Sequence, residues 1–194
     1  MIKALLLIFA PAYTWERIAR ARRNLFFVLF LFLIPTVAIS VAAEVHVRNY
    51  YELHNTALNA RPLTIEQEIR LGAVEAAAWL VVVFVGAFAL KMLSETFHNR
   101  NTYAQCFTAI AYASAPFYLF HLLDLIPGTN LWISVAVGMC FTFSALYYAV
   151  PIYLKPDPPH AFGLFLTGGI MLTLLNVIAR LFMLAVIEGR IKIY

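Results

Sequence analysis

Five stretches of this chain are long enough and apolar enough to cross a bilayer, whose hydrocarbon core of about 30 Å takes about 20 consecutive apolar residues as helix. No other feature narrows the fold as far. The stretches cover about 24–43, 73–97, 102–124, 131–154 and 161–187, and the rest of the 194 residues is too short for a second soluble domain. They are continuous apolar runs without the alternation of a barrel strand, so satisfying the backbone in lipid requires helices. The expected fold class is all-α, a polytopic transmembrane bundle of five helices forming one domain over 24–194, with residues 1–23 as a short interfacial N-terminal helix. Composition agrees: 63% hydrophobic and 12% charged, against about 45–50% and about 25% in soluble domains.

Punctuation between the runs supports this division. Pro62-Leu63-Thr64-Ile65-Glu66-Gln67 carries a capping-box signal, in which the Thr64 hydroxyl and the Gln67 side chain satisfy each other's backbone N–H groups. The second helix should therefore start well before its apolar run, Glu75 to Lys91, and overrun toward Phe97. That run is the shortest, and a four-span bundle with this segment re-entrant stays open. Ile126-Pro127-Gly128-Thr129-Asn130 implies a tight hairpin between spans three and four, and Lys155-Pro156-Asp157-Pro158-Pro159-His160 a break before span five.

Five spans put the termini on opposite sides. Lys and Arg number eight on the N-terminal side and six on the other. The flank of the first helix, which dominates orientation, carries Arg17, Arg20, Arg22 and Arg23. The N-terminus is therefore expected in the cytoplasm. Trp15, Ile18 and Ala19 share one helical face, so the 1–23 segment reads as lying flat on the membrane, with Trp15 and the four arginines at the anionic headgroups. The net charge of +4 comes largely from this cluster and argues for lipid headgroups rather than nucleic acid. Cys106 and Cys140 are the only cysteines and both lie in apolar runs, so no disulfide scaffold is expected.

Two sets of intramembrane residues stand out. Small residues permit close helix approach in lipid. Ala111 and Ala115 in span three and Gly138 and Thr142 in span four are expected to face each other across the tight hairpin. Charged residues inside spans are costly. The topology brings Glu75 and Asp124 to the depth of Arg180, which lies about 28 Å along span five at about 1.5 Å per residue. His121 and Asn176 stand beside them. Arg180 should pair with Glu75 or Asp124, as a structural ion pair ahead of an ion or proton path, because the midplane is nearly all apolar. Enzymatic arrangements fail on spacing. Ser114 and His121 are about 10 Å apart in rise on one helix, the zinc and phosphate-loop motifs are missing from the sequence, and the five histidines are scattered. No catalytic residue, cofactor or metal is expected.

Several stretches together resemble the Yip (Ypt-interacting protein) domain family. They are Asn101-Thr102-Tyr103-Ala104-Gln105, then Ala111-Tyr112-Ala113-Ser114-Ala115-Pro116, the Ile126-Pro127-Gly128 hairpin, and Tyr147-Tyr148-Ala149-Val150-Pro151-Ile152-Tyr153-Leu154 before a Pro-rich loop and Ala161. Pro11 and Ile18 ahead of the first span are similar to the family's entry segment. The resemblance implies five spans, a cytoplasmic N-terminus, and, for eukaryotic members, small GTPases and vesicle traffic at the endoplasmic reticulum and Golgi. This chain has only 23 residues before span one, which argues against a GTPase partner and looks more like the short prokaryotic members. The expectation is a non-enzymatic scaffold or adaptor in membrane organisation or trafficking, with membrane lipids and other membrane proteins or itself as partners. A bacterial inner membrane is favoured over the endoplasmic reticulum or Golgi. The alternative is a small transporter or channel using the polar cluster.

Overall fold

The computed structural model describes residues 2–54, 64–126, 131–187 and 190. Five of its helices are long and apolar enough to cross a membrane: spans one to five, at Leu25–Val47, Ile65–Thr96, Tyr103–Leu125, Trp132–Leu154 and Pro158–Val186. Two shorter helices precede them, α1 (Ile2–Phe9) and α2 (Pro11–Ala21). The hairpin residues 127–130 and the loop residues 55–63 lie outside the described residues.

Helix starts follow their caps. Thr64 and Gln67 form the reciprocal capping box at the head of span two, with Thr64 N donating to Gln67 Oε1 at 2.9 Å and Gln67 N to Thr64 Oγ1 at 3.3 Å. Thr102 and Gln105 repeat it at span three, at 2.8 and 3.3 Å. Pro11 opens α2 at a position where its missing N–H has no helical partner to lose.

Three prolines mark three of the places where the described spans leave α-geometry. A wide turn at Leu29–Leu33 lies just ahead of Pro35, Val150–Leu154 contains Pro151, and span three breaks at Ser114, ahead of Pro116. In each case the ring displaces the carbonyl four residues earlier and removes a donor, so the helix widens or restarts. The first helix also runs on to His54, past the Ala43 boundary expected from the sequence. Glu44 does not end it, because that carboxylate finds partners inside the bundle.

Span three is the axis of the assembly. Over an 18-residue apolar stretch of it 78% of residues are buried, against 33–39% in the corresponding stretches of the other four. Span two packs on spans three and five, and span four packs on span three. At Gly138 a β-carbon would sit 3.0 Å from Phe117 Cα, so the two backbones nearly touch. Ala111, Ala115 and Thr142 are buried, but the backbone that Gly138 meets is at Phe117 and not at the two alanines. Span three is not one unbroken helix here, since it stops at Ala113 and restarts at Ala115 ahead of Pro116.

The N-terminal helices correct the interfacial expectation. Ala4 and Leu7 of α1 and Thr14, Trp15 and Ile18 of α2 are buried against the bundle. Trp15 is fully buried. Its indole packs edge-on to Tyr112 at 6.2 Å and beside Tyr153 at 5.8 Å, on spans three and four. The apolar face of α2 was legible, but the surface receiving it is protein.

Candidate functional site

The buried ionisable groups gather at the end of the bundle away from α2, here the distal end. Span one supplies Glu44 from a stripe of inward polar residues at four-residue spacing, Thr36, Ser40 and Glu44, each 2–5% exposed. Glu75 comes from span two and is fully buried. His121 and Asp124 come from the short 3₁₀ turn His121–Leu125 that ends span three, and Ser134 from span four. Arg180 arrives from span five.

Arg180 is the hinge of this cluster. Its Nη1 donates to Glu44 Oε1 and lies 3.8 Å from Glu75 Oε1. His121 Nδ1 stands 3.3 Å from Asp124 Oδ2 and 3.9 Å from Glu44 Oε2. Ser134 Oγ donates to Asp124 Oδ1. The sequence reading offered Glu75 or Asp124 to Arg180. The structure brings Glu75 near, adds Glu44 as the direct partner, and turns Asp124 toward His121 and Ser134. Asn176 does not join the ion pairs, since its Nδ2 donates 2.7 Å to the Leu172 carbonyl of its own helix.

Charge explains why the groups share one place. A lone buried ion is far costlier than one with a counter-ion and hydrogen bonds. Three acids surround one guanidinium and one imidazole, so each carboxylate has a cation or a hydroxyl at hand. The rings of Trp79 and Phe117 hold His121 from the side, at 5.7 and 4.9 Å. Beside Arg180, Asn176 and Thr173 a cavity of about 40 Å³ remains, room for about one water. Among the described residues no three His, Cys, Asp or Glu side chains are grouped to hold a metal ion.

The arginines lie at the other end. Arg20 pairs with Glu16 at 2.9 Å, Arg17 lies over the Tyr13 ring at 5.6 Å, and Arg23 over Phe27 at 4.6 Å. Lys3 reaches the Tyr112 ring at 5.7 Å. Partial burial, and then the charges of Arg23 and Arg17, hold the Lys3 ammonium below its ordinary range. The start of α1 therefore lies back near the end of α2, and the pair forms a short hairpin.

The sequence profile of the Yip1 domain matches residues 5–187. The chain belongs to the Yip1 domain family. Neither a curated protein nor a solved structure matches it. The matched region takes in α2 and most of α1, so the N-terminal hairpin is part of the Yip1 domain and not an appendage. Several residues that carried the resemblance have structural work here: Tyr112 and Tyr153 form the seat of Trp15, Thr102 caps span three, and Pro116 and Pro151 set two of the helix breaks.

Proposed function

We propose that this Yip1-domain protein is a non-enzymatic membrane scaffold or adaptor, organising other membrane proteins or copies of itself in the plane of the bilayer. The observation that carries the reading is the closure of the distal cluster. Arg180 lies between Glu44 and Glu75, and Asp124 is taken by His121 and Ser134. Polar groups that clasp all five spans to one another suit a rigid body that works through its outer helix faces. We place its N-terminus in the cytoplasm, on the strength of the basic flank ahead of span one, and favour a bacterial inner membrane. Site-specific photo-cross-linkers on the lipid-facing residues Phe88, Ile170 and Leu174, all exposed, should trap a reproducible set of membrane proteins or a second copy. Cross-links to lipid alone would overturn the reading.

One observation favours a second function. Glu44, Glu75, His121, Asp124 and Arg180 are ionisable groups within membrane-spanning helices, the usual material of ion and proton routes. Flux through vesicles reconstituted with the full chain that disappears in Asp124→Asn would put a small transporter or channel ahead of the scaffold.

A further inference from the structure

Among the described residues three non-glycine side chains sit on left-handed backbone just past a helix, Arg22, His98 and Lys155, and two of them meet at one place at the N-terminal end of the bundle. Arg22 closes α2 at φ 39°, ψ 49°, and Lys155 closes span four at φ 50°, ψ 53°. This left-handed region is where glycine normally ends a helix, and a side chain bearing a β-carbon occupies it at a steric cost. A cation at a helix C-terminus is favoured by the macrodipole, which accounts for the charge at each end separately. It does not account for both residues lining one cavity.

That cavity measures about 480 Å³, within the range of about 300–1,000 Å³ typical of small-molecule sites. Arg22, Arg23 and Lys155 bring three cations to it, and Thr102, Gln105 and Tyr153 bring hydroxyl and amide groups. Among the described residues no acidic side chain lines it. Among the described residues none of the three cations has an ion pair, whereas Arg20, Arg70 and Arg180 each have one. The N-terminus of span three opens at the same place, adding the positive end of its dipole. Excess positive charge is thus concentrated in a concave site and left uncompensated by the protein.

We propose that this cavity binds a terminal phosphate monoester, held by the Arg22 and Arg23 guanidiniums and the Lys155 ammonium. Guanidinium forks and an ammonium together match a dianionic oxygen set better than a singly charged diester. The phosphate can come from a lipid headgroup of the same leaflet, since α2 and the ends of spans three and four border the membrane surface, or from a soluble compound. The proposal does not rest on the scaffold reading and survives its failure.

The test uses the full chain in phosphatidylcholine nanodiscs, offered phosphatidic acid, phosphatidylglycerol at matched total charge, or inorganic phosphate in the buffer. Retained lipid is read by native mass spectrometry and protein stability by thermal unfolding. Phosphatidic acid should be retained in preference to phosphatidylglycerol and should raise the unfolding temperature. The double variant Arg22→Gly with Lys155→Gly should weaken that binding about ten- to hundredfold. Without ligand it should unfold at the same temperature or higher, because glycine fits the left-handed ends. Arg23→Gln, which leaves both helix ends untouched, should weaken binding in the same direction. Arg17→Gln with Arg20→Gln, whose side chains lie outside the cavity, should bind as the parent does. Saturation by inorganic phosphate without retention of phosphatidic acid keeps the site and assigns it a soluble ligand. Equal retention of the two anionic lipids, or an equal loss in the Arg17 and Arg20 variant, would reduce the effect to surface charge and overturn the proposal.

Discussion

The two ends of this bundle handle positive charge in opposite ways. At the distal end Arg180 is 5% exposed and lies between two glutamates. At the N-terminal end Arg22, Arg23 and Lys155 face solvent around an open cavity that, among the described residues, holds no acid. Burial makes the difference. A cation inside lipid must bring its counter-ion with it during folding, while a cation at the surface can wait for one from outside. The first arrangement holds the fold together, and the second leaves charge available to a ligand.

The largest effect that can break this contrast is expected from Arg180→Leu. It strands Glu44 and Glu75 in a buried site and should destabilise the protein by about 3–5 kcal/mol, measured by thermal unfolding in mild detergent. The pair Glu44→Gln with Arg180→Gln should recover part of that loss. If Arg180→Leu costs no more than Arg17→Gln, charge pairing does not distinguish the two ends. Next in size is Asp124→Asn, which weakens the links to His121 and Ser134 and should cost about 1–3 kcal/mol in the same assay. A smaller effect compares the ends directly. Thr64→Ala at the distal end and Thr102→Ala at the N-terminal end each remove a capping box and should each cost about 1 kcal/mol. Unequal losses would show that one helix start is held by tertiary contacts instead of its cap.

The smallest effect concerns Lys3, whose folded-state pKa lies below the ordinary lysine value of 10.5. Between the two values the unfolded chain binds a proton that the folded chain does not, so stability should rise with pH across that window and level off above 10.5. Lys3→Met should flatten the slope, and added salt should reduce it by screening Arg23 and Arg17. A slope that Lys3→Met leaves unchanged would remove Lys3 as its source.

Much of the architecture was legible because lipid imposes it. Run lengths located all five helices, and the Thr64 capping signal put the start of span two, at Ile65, ten residues ahead of Glu75. The same capping pattern at Thr102 and Gln105, and the prolines that bend the spans, carried equally plain signals that were not used to place starts and breaks. The polar cluster was legible only in part. Charge scarcity and topology brought Glu75 to the level of Arg180, but Glu44 was read as the point where span one stops. The four-residue spacing of Thr36, Ser40 and Glu44 would have shown an inward polar face running past it. Trp15 shows a different limit, since an amphipathic helix reveals which face is apolar and says nothing about whether lipid or protein will cover it.

The seat of Trp15 has a consequence for the order in which the protein can be made. Tyr112 and Tyr153, which enclose the indole, belong to the third and fourth spans, so a growing chain exposes α2 long before its docking surface exists. The segment synthesised among the first must be lodged among the last. In the interval its apolar face and arginines suit it to the membrane surface, so the pattern that is misleading about the finished fold fits the nascent chain.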